Sequence, residues 1–426
     1  MALAALALAG AAPLAAALPQ APSLKPSPDY RSPHLDATQF RQLVRALDAA
    51  EDGRWADFRS ASSQISDEGA RQLLRWRQAI DPGSVQGFSA LAAAAQDFKG
   101  WPDHERIVEQ AENLILTSSL TAEERVAWLM RHGPQSPRGR LALADAHLSQ
   151  GRTEEVRAVI QDLWRTRTMS ADIADSVLAQ YGSMLSPADH WARADMLMWR
   201  GDVAQAIGLY PRLSDGQRRL LSARAALRRN ENGVDALVDA VPAELQGDPG
   251  LAYERARWRE RRGREDGELE LLLQLRGAGA SPAGRDAIWD EKHSVARRLI
   301  RQGDFATAYR LTTDHGLTSG EGFREAEWLS GWLALEKLND PIRAEAHFRT
   351  FGGGVATPIS VSRGGYWLGR ALEAQNRGPE AEDAYASAAR FPYVFYGQLA
   401  AEKLGASRPD LKVIAFEPVP PPSAPE

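Results

Sequence analysis

Residues Leu368 to Ala388 read LGRALEAQNRGPEAEDAYASA, and this stretch decides the fold. Leu368, Gly369 and Leu372 recur at the spacing of one helix face, and Ala381, Tyr385 and Ala388 do so again beyond the Gly378-Pro379 break. Two short helices joined by a turn follow. Gly369 and Ala381 are small enough to let the pair approach closely, while Leu372 and Tyr385 fill the groove between them. Ala344 and Phe348 stand 37 residues before Ala381 and Tyr385, so two consecutive units share one packing plan. A lone helix pair cannot bury both of its apolar faces, so such units must stack on neighbours.

The offsets in this unit are similar to those of a tetratricopeptide-type helix pair. Looser relatives lie upstream. The run Gly201-Asp202-Val203-Ala204-Gln205-Ala206-Ile207 matches Gly303-Asp304-Phe305-Ala306-Thr307-Ala308-Tyr309, with Leu209 and Leu311 at the same offset beyond. Ala194 and Leu197 precede the first glycine as Ala296 and Leu299 precede the second. Around Gly151 the pattern loosens to Ala144, Val156 and Val159. Left-handed helix ends are expected at Gly151, Gly201, Gly303 and Gly378. Helix starts are expected at Thr121 and Ser214, each with a capping partner three residues on, and at Ser186-Pro187 and Asp340-Pro341. Alternating β-branched stretches are absent, and Ala, Leu, Arg and Glu dominate. The expected fold is all-α, a right-handed helical superhelix or solenoid of tetratricopeptide-like helix pairs over residues 35–408. The uneven turn spacing makes it degenerate.

The ends read differently. Residues 1–17, MALAALALAGAAPLAAA, carry no basic residue and offer Ala15 and Ala17 as a cleavage pattern, so a signal peptide and export are expected. The run is too short to span a bilayer, and no other apolar run reaches that length. A proline-rich linker at 18–34 and a proline-rich tail at 409–426, with Pro418 to Pro425 reading PVPPPSAP, flank the helical region. The 51 basic and 56 acidic residues leave a net charge of −5, which gives nucleic acid no general attraction. The densest basic run, Arg255 to Arg264, is broken by Glu260 and reads as a solvated helix face. With no cysteine in the chain, disulfide and thiolate chemistry are excluded.

No constellation for catalysis, metal or cofactor emerges, so no catalytic, cofactor-binding or metal-ligating residue is assigned. The eight histidines are scattered between His34 and His347 without a close pair on one helix face. Gly352-Gly353-Gly354 lacks the Lys-Ser/Thr of a phosphate loop and reads as a flexible turn. Acids such as Glu123-Glu124 and Glu265-Asp266 read as first-turn residues or polar faces. Trp328 and Trp332, one turn apart, and Trp191 and Trp199 suit sugar stacking, but their helical spacing favours core. Trp101, between Gly100 and Pro102, is the best candidate for an exposed ring.

Three segments together carry a family resemblance. Asp189 to Arg229 reads DHWARADMLMWRGDVAQAIGLYPRLSDGQRRLLSARAALRR. Glu325 to Ala374 contains EAEWLSGWLALEKLNDPIRAEAHF and then TPISVSRGGYWLGRALEA. Phe391 to Gly405 reads FPYVFYGQLAAEKLG. In this order, with a weaker segment at Arg131 to Arg152, they resemble the helical superhelix region of soluble lytic murein transglycosylases over most of residues 35–410. The resemblance implies a periplasmic role in peptidoglycan turnover. The family cleaves the β-1,4 bond between N-acetylmuramic acid and N-acetylglucosamine without water, leaving a 1,6-anhydro end. Its glutamate acid lies in a Glu-Ser motif near Gly-Leu-Met-Gln, in a lysozyme-like domain beyond the helical region. Neither motif occurs in this sequence, so no catalytic residue is carried over and the chain alone is expected to be inactive. A piece of a full enzyme is the favoured reading, ahead of a stand-alone scaffold. The competing function is a tetratricopeptide-like periplasmic adaptor for a protein partner.

Overall fold

A computed structural model describes residues 34–405, and among them the chain is helical without a strand. The expected signal peptide, the linker up to Pro33 and the tail from residue 409 lie outside the described residues. The chain divides into two compact units, one reaching Ala146 and the other starting at His147. The first contains α1 (Ala37–Glu51), α2 (Trp55–Ser62), α3 (Glu68–Ala79), α4 (Phe88–Asp97), α5 (His104–Leu114), α6 (Ala122–His132) and most of α7 (Pro137–Ser149). Small residues set its packing: Ala46, Ala49, Ala50 and Ala61 are buried around Phe58 and Leu74. Glu112 on α5 caps α7 from outside, accepting from the Gln135 and Ser136 N–H groups at 2.7 and 2.6 Å. Burial pushes its carboxyl upward, and these bonds with the Ser136 hydroxyl oppose that rise.

In the second unit α8 (Thr153–Thr166), α9 (Ala171–Tyr181), α10 (Pro187–Arg200), α11 (Val203–Gly208), α12 (Asp215–Arg228) and α13 (Val234–Asp239) come first. Then follow α14 (Pro249–Arg261), α15 (Glu265–Gln274), α16 (Pro282–Gln302), α17 (Phe305–Thr313) and α18 (Gly320–Glu336). The last are α19 (Pro341–Gly353), α20 (Pro358–Glu373), α21 (Gly378–Ala389) and α22 (Phe395–Leu404). From α16 onward each helix packs on the next, and α16, α18, α20 and α22 also touch in series. That is the stacking of helix pairs expected from the sequence.

The capping grammar holds at almost every predicted point. Thr121, Ser186 and Ser214 each form a reciprocal capping box, and Asp340 caps α19 ahead of Pro341. Glu123-Glu124 and Glu265-Asp266 do lie in first turns. Gly201 and Gly303 adopt φ of 87° and 86°, where a Cβ would be strained. The N–H of Asp202 reaches Leu197 O at 2.9 Å, as that of Asp304 reaches Leu299 O at 3.0 Å, and each aspartate then caps the next helix. Losing one such cap costs about 1 kcal/mol, so Asp202→Ala should modestly lower the urea midpoint of its own unit. An unchanged midpoint would remove the cap from the stabilising features.

Three expectations need correction. Gly378 is not a left-handed helix end. Asn376 takes that conformation at φ 59°, because α20 stops before it and asparagine tolerates it, and Gly378 opens α21 ahead of Pro379. Gly352 and Gly353 continue α19 and are not part of a loose turn. The Arg255 to Arg264 run is only partly solvated. Arg257 binds Glu291 at 2.6 Å, Arg261 reaches Leu227 O at 2.8 Å, and Arg262 reaches Asn230 O at 2.9 Å, so the run ties α14 to α12 and α16.

Glycine facing a ring is the recurrent packing device. A Cβ on Gly369 would lie 2.5 Å from the Tyr385 ring, and one on Gly331 would lie 2.6 Å from Phe348. The two units predicted to share a plan therefore do, each aromatic occupying the space a glycine leaves. The same device joins Gly284 of α16 to Trp199 of α10 at 2.6 Å, a long-range contact that sequence spacing does not announce.

Candidate functional site

The densest chemistry sits where α17, α18 and α19 meet. Glu327 of α18 accepts from His347 Nδ1 at 2.7 Å and from His315 Nε2 at 3.2 Å. His315 Nδ1 accepts from the Leu317 N–H at 3.0 Å, and the Tyr309 hydroxyl reaches His347 Nε2 at 3.1 Å. With Glu327 ionised and both rings neutral, every one of these atoms has a partner. Burial pushes the Glu327 carboxyl up, but the bonds from His315 and His347 outweigh it and hold it down to about 2. Nearby, Ser330 Oγ donates to Thr312 Oγ1 at 2.9 Å and points at no base. The network clamps helices and leaves no activated nucleophile.

Other buried charges are also bound to the fold. The Lys292 ammonium donates to Leu275 O at 2.8 Å and Asp314 O at 2.7 Å, and burial lowers its pKa against the opposing pull of Asp314. Arg224 binds Asp195 at 2.7 Å, and Arg298 binds Glu268 at 2.6 Å. Burial raises the Glu268 carboxyl, Arg298 opposes it, and the neighbouring Glu291 raises it further. These two acids stand close together in the core, each held by an arginine, Glu268 by Arg298 and Glu291 by Arg257. Being buried side by side, they lack the separation across a solvent-filled cleft that glycoside hydrolysis requires.

An open groove lies beside this core, between α16 and α18. It has a volume of about 330 Å³, with Arg297 and Arg301 on the α16 wall and Glu325, Trp328 and Trp332 on the α18 wall. The Arg363 guanidinium stacks 3.6 Å from the Trp328 ring centroid and contacts Glu325 at 3.4 Å. Trp328 meets Trp367 edge-on at 6.1 Å, and the Lys337 ammonium stands 5.3 Å from the Trp332 ring. Both tryptophans are partly buried against the α16–α18 core, as their helical spacing predicts, yet both also line the groove.

The other tryptophans divide. Trp101 does sit in a turn, but its ring packs on Phe98 and Trp76 at 5.2 and 6.0 Å and is half-buried, so it is not the free ring expected. Trp199 is core, against Tyr253 at 5.0 Å. Trp191 is half-buried and lines a second cavity of about 390 Å³ with Arg165 and Arg200. Among the described residues no cluster of His, Asp or Glu could hold a metal ion, and no helix is long and apolar enough to cross a membrane. Sequence spacing does not single out Glu327 or the Arg297–Arg301 pair. A signal exists for the glutamate, which shares a helix face with Ala326, Ser330, Gly331 and Ala334, where only a paired charge is tolerated.

No protein-family model matches the chain, and no curated protein matches it. Solved structures similar to it include the 70-kDa soluble lytic transglycosylase of Escherichia coli. That match has 14% identity, covers 86% of this chain and 58% of that one, and has a TM-score of 0.40. The complex of the 70-kDa soluble lytic transglycosylase with bulgecin A matches with the same values. The chain thus spans less than two thirds of those structures, and similarity of this size carries no site residue or activity across.

Proposed function

We propose that this chain is the helical scaffold of a periplasmic protein of the lytic murein transglycosylase type, holding peptidoglycan glycan strands for cleavage by a catalytic domain outside it. The observation that carries this reading is the ordered trio of sequence segments, which fall on α10–α12, α18–α20 and α22. Most of its buried acids are bound to arginines or histidines, Glu112 instead holds the start of α7, and the Glu-Ser and Gly-Leu-Met-Gln motifs do not occur, so on this reading the chain itself performs no bond cleavage. The proposed reaction of the whole protein is the non-hydrolytic release of 1,6-anhydro ends.

The purified chain is expected to be retained on murein sacculi and to give no clearing in a peptidoglycan zymogram. Clearing with release of anhydro-muropeptides would overturn the division of labour. Stoichiometric capture of a periplasmic protein, without retention on sacculi, would favour the adaptor reading instead.

A further inference from the structure

The α16–α18 groove sets an arginine pair that fold stability does not require opposite two tryptophans anchored in the core. Arg297 and Arg301 lie four residues apart on the exposed side of α16, and neither has an ion-pair or hydrogen-bond partner among the described residues. Like charges one turn apart on a helix repel. Arg298, between them in the chain, behaves differently and reaches Glu268 at 2.6 Å. Facing the free pair, Trp328 and Trp332 are also four residues apart, so their rings rise about 6 Å along α18. That rise is comparable to the length of one pyranose unit. A cation stands over each indole, and both rings still line the groove. The volume of about 330 Å³ suits a small ligand segment.

We infer that this groove seats a carboxylate-bearing saccharide, with sugar faces against Trp328 and Trp332 and carboxylates against Arg297 and Arg301. The inference rests on the scaffold reading above and names the chemistry of its contact. Flat C–H faces match the indole platform, and a negative group matches the free cations. An acidic peptide satisfies the cations but leaves the paired indoles without a matching surface. A neutral saccharide satisfies the indoles and leaves the arginines idle.

The test is calorimetric titration of the full chain with three probes: murein glycan strands stripped of stem peptides, neutral N-acetylglucosamine oligomers of equal length, and an acidic peptide. Stripped strands, which keep their lactyl carboxylates, are expected to bind most tightly. Arg297→Glu with Arg301→Glu should weaken them about tenfold or more, and Trp332→Ala about fivefold. The melting curve of the double variant should stay close to wild type, because both arginines are exposed and unpaired. Sacculi retention separates the two possible failures. If the chain is retained but both variants bind stripped strands as wild type does, the groove assignment falls and the scaffold reading stands. If neither sacculi nor strands are bound, both fall. Tighter binding of the peptide than of the strands also overturns the assignment.

Discussion

Replacing Phe348 with alanine is expected to destabilise the α18–α20 stack by about 3–5 kcal/mol. The ring is 1% exposed, stacks on Trp367 at 6.0 Å and fills the space that Gly331 leaves open. Because the facing residue on α18 is glycine, that wall has no side chain to relax into the cavity. Gly331→Val should harm the same seam from the opposite side, by overpacking, at about 1–3 kcal/mol. Ile342, 71% exposed on the same helix as Phe348, is the control, and its alanine variant should stay within about 0.5 kcal/mol of wild type. Hydrogen exchange across α18–α20 reads the loss locally, which matters in a chain of two units where one global midpoint is poorly defined. A loss below about 1 kcal/mol would mean that the seam collapses and that the glycine–ring contact is not what fixes helix spacing.

Glu327→Gln is the second large effect, expected to cost about 3 kcal/mol at neutral pH. The amide oxygen can accept from only one of the two imidazoles without presenting its NH₂ to the other. The pH dependence has a defined sign. A carboxyl held at about 2 when folded, against its ordinary 4.5, adds stability that is fully present above 4.5. That stability disappears as the pH falls through the folded value. The gap between wild type and Glu327→Gln should therefore be widest near neutrality and shrink as the pH drops from 4.5 toward 2. Thermal melts of both proteins across the acid range measure it directly, and a gap that stays constant would show that the ionised carboxylate contributes nothing specific. Tyr309→Phe, which removes only the outer hydroxyl, should reproduce a small part of the loss.

The two predictions concern residues of different legibility. Phe348 is legible from spacing alone, since its match with Tyr385 places it on a repeating seam. Glu327 is not, because sequence cannot say which partners a buried acid finds across three helices. Its partners His315 and His347 lie 12 and 20 residues away, and neither shares a helix with it. The same limit explains the revised places of Trp101 and Gly378. Trp101 is in the predicted turn, yet Trp76 covers it from another helix. Gly378 stands in the predicted connection, but Asn376 two residues earlier can adopt the same backbone conformation and does so.

Helix identity, most helix ends and the existence of stacked pairs are written in the chain itself. Caps and left-handed ends are made by bonds between residues three to five apart, so the residues responsible are visible side by side in the sequence. Which distant faces meet is settled by tertiary packing. It places Trp199 against Gly284, ties the arginines of α14 to α12 and α16, and opens the groove that sets Arg297 and Arg301 opposite Trp328 and Trp332. Such contacts depend on small rotations accumulated from one helix pair to the next, and no local pattern of residues encodes that sum.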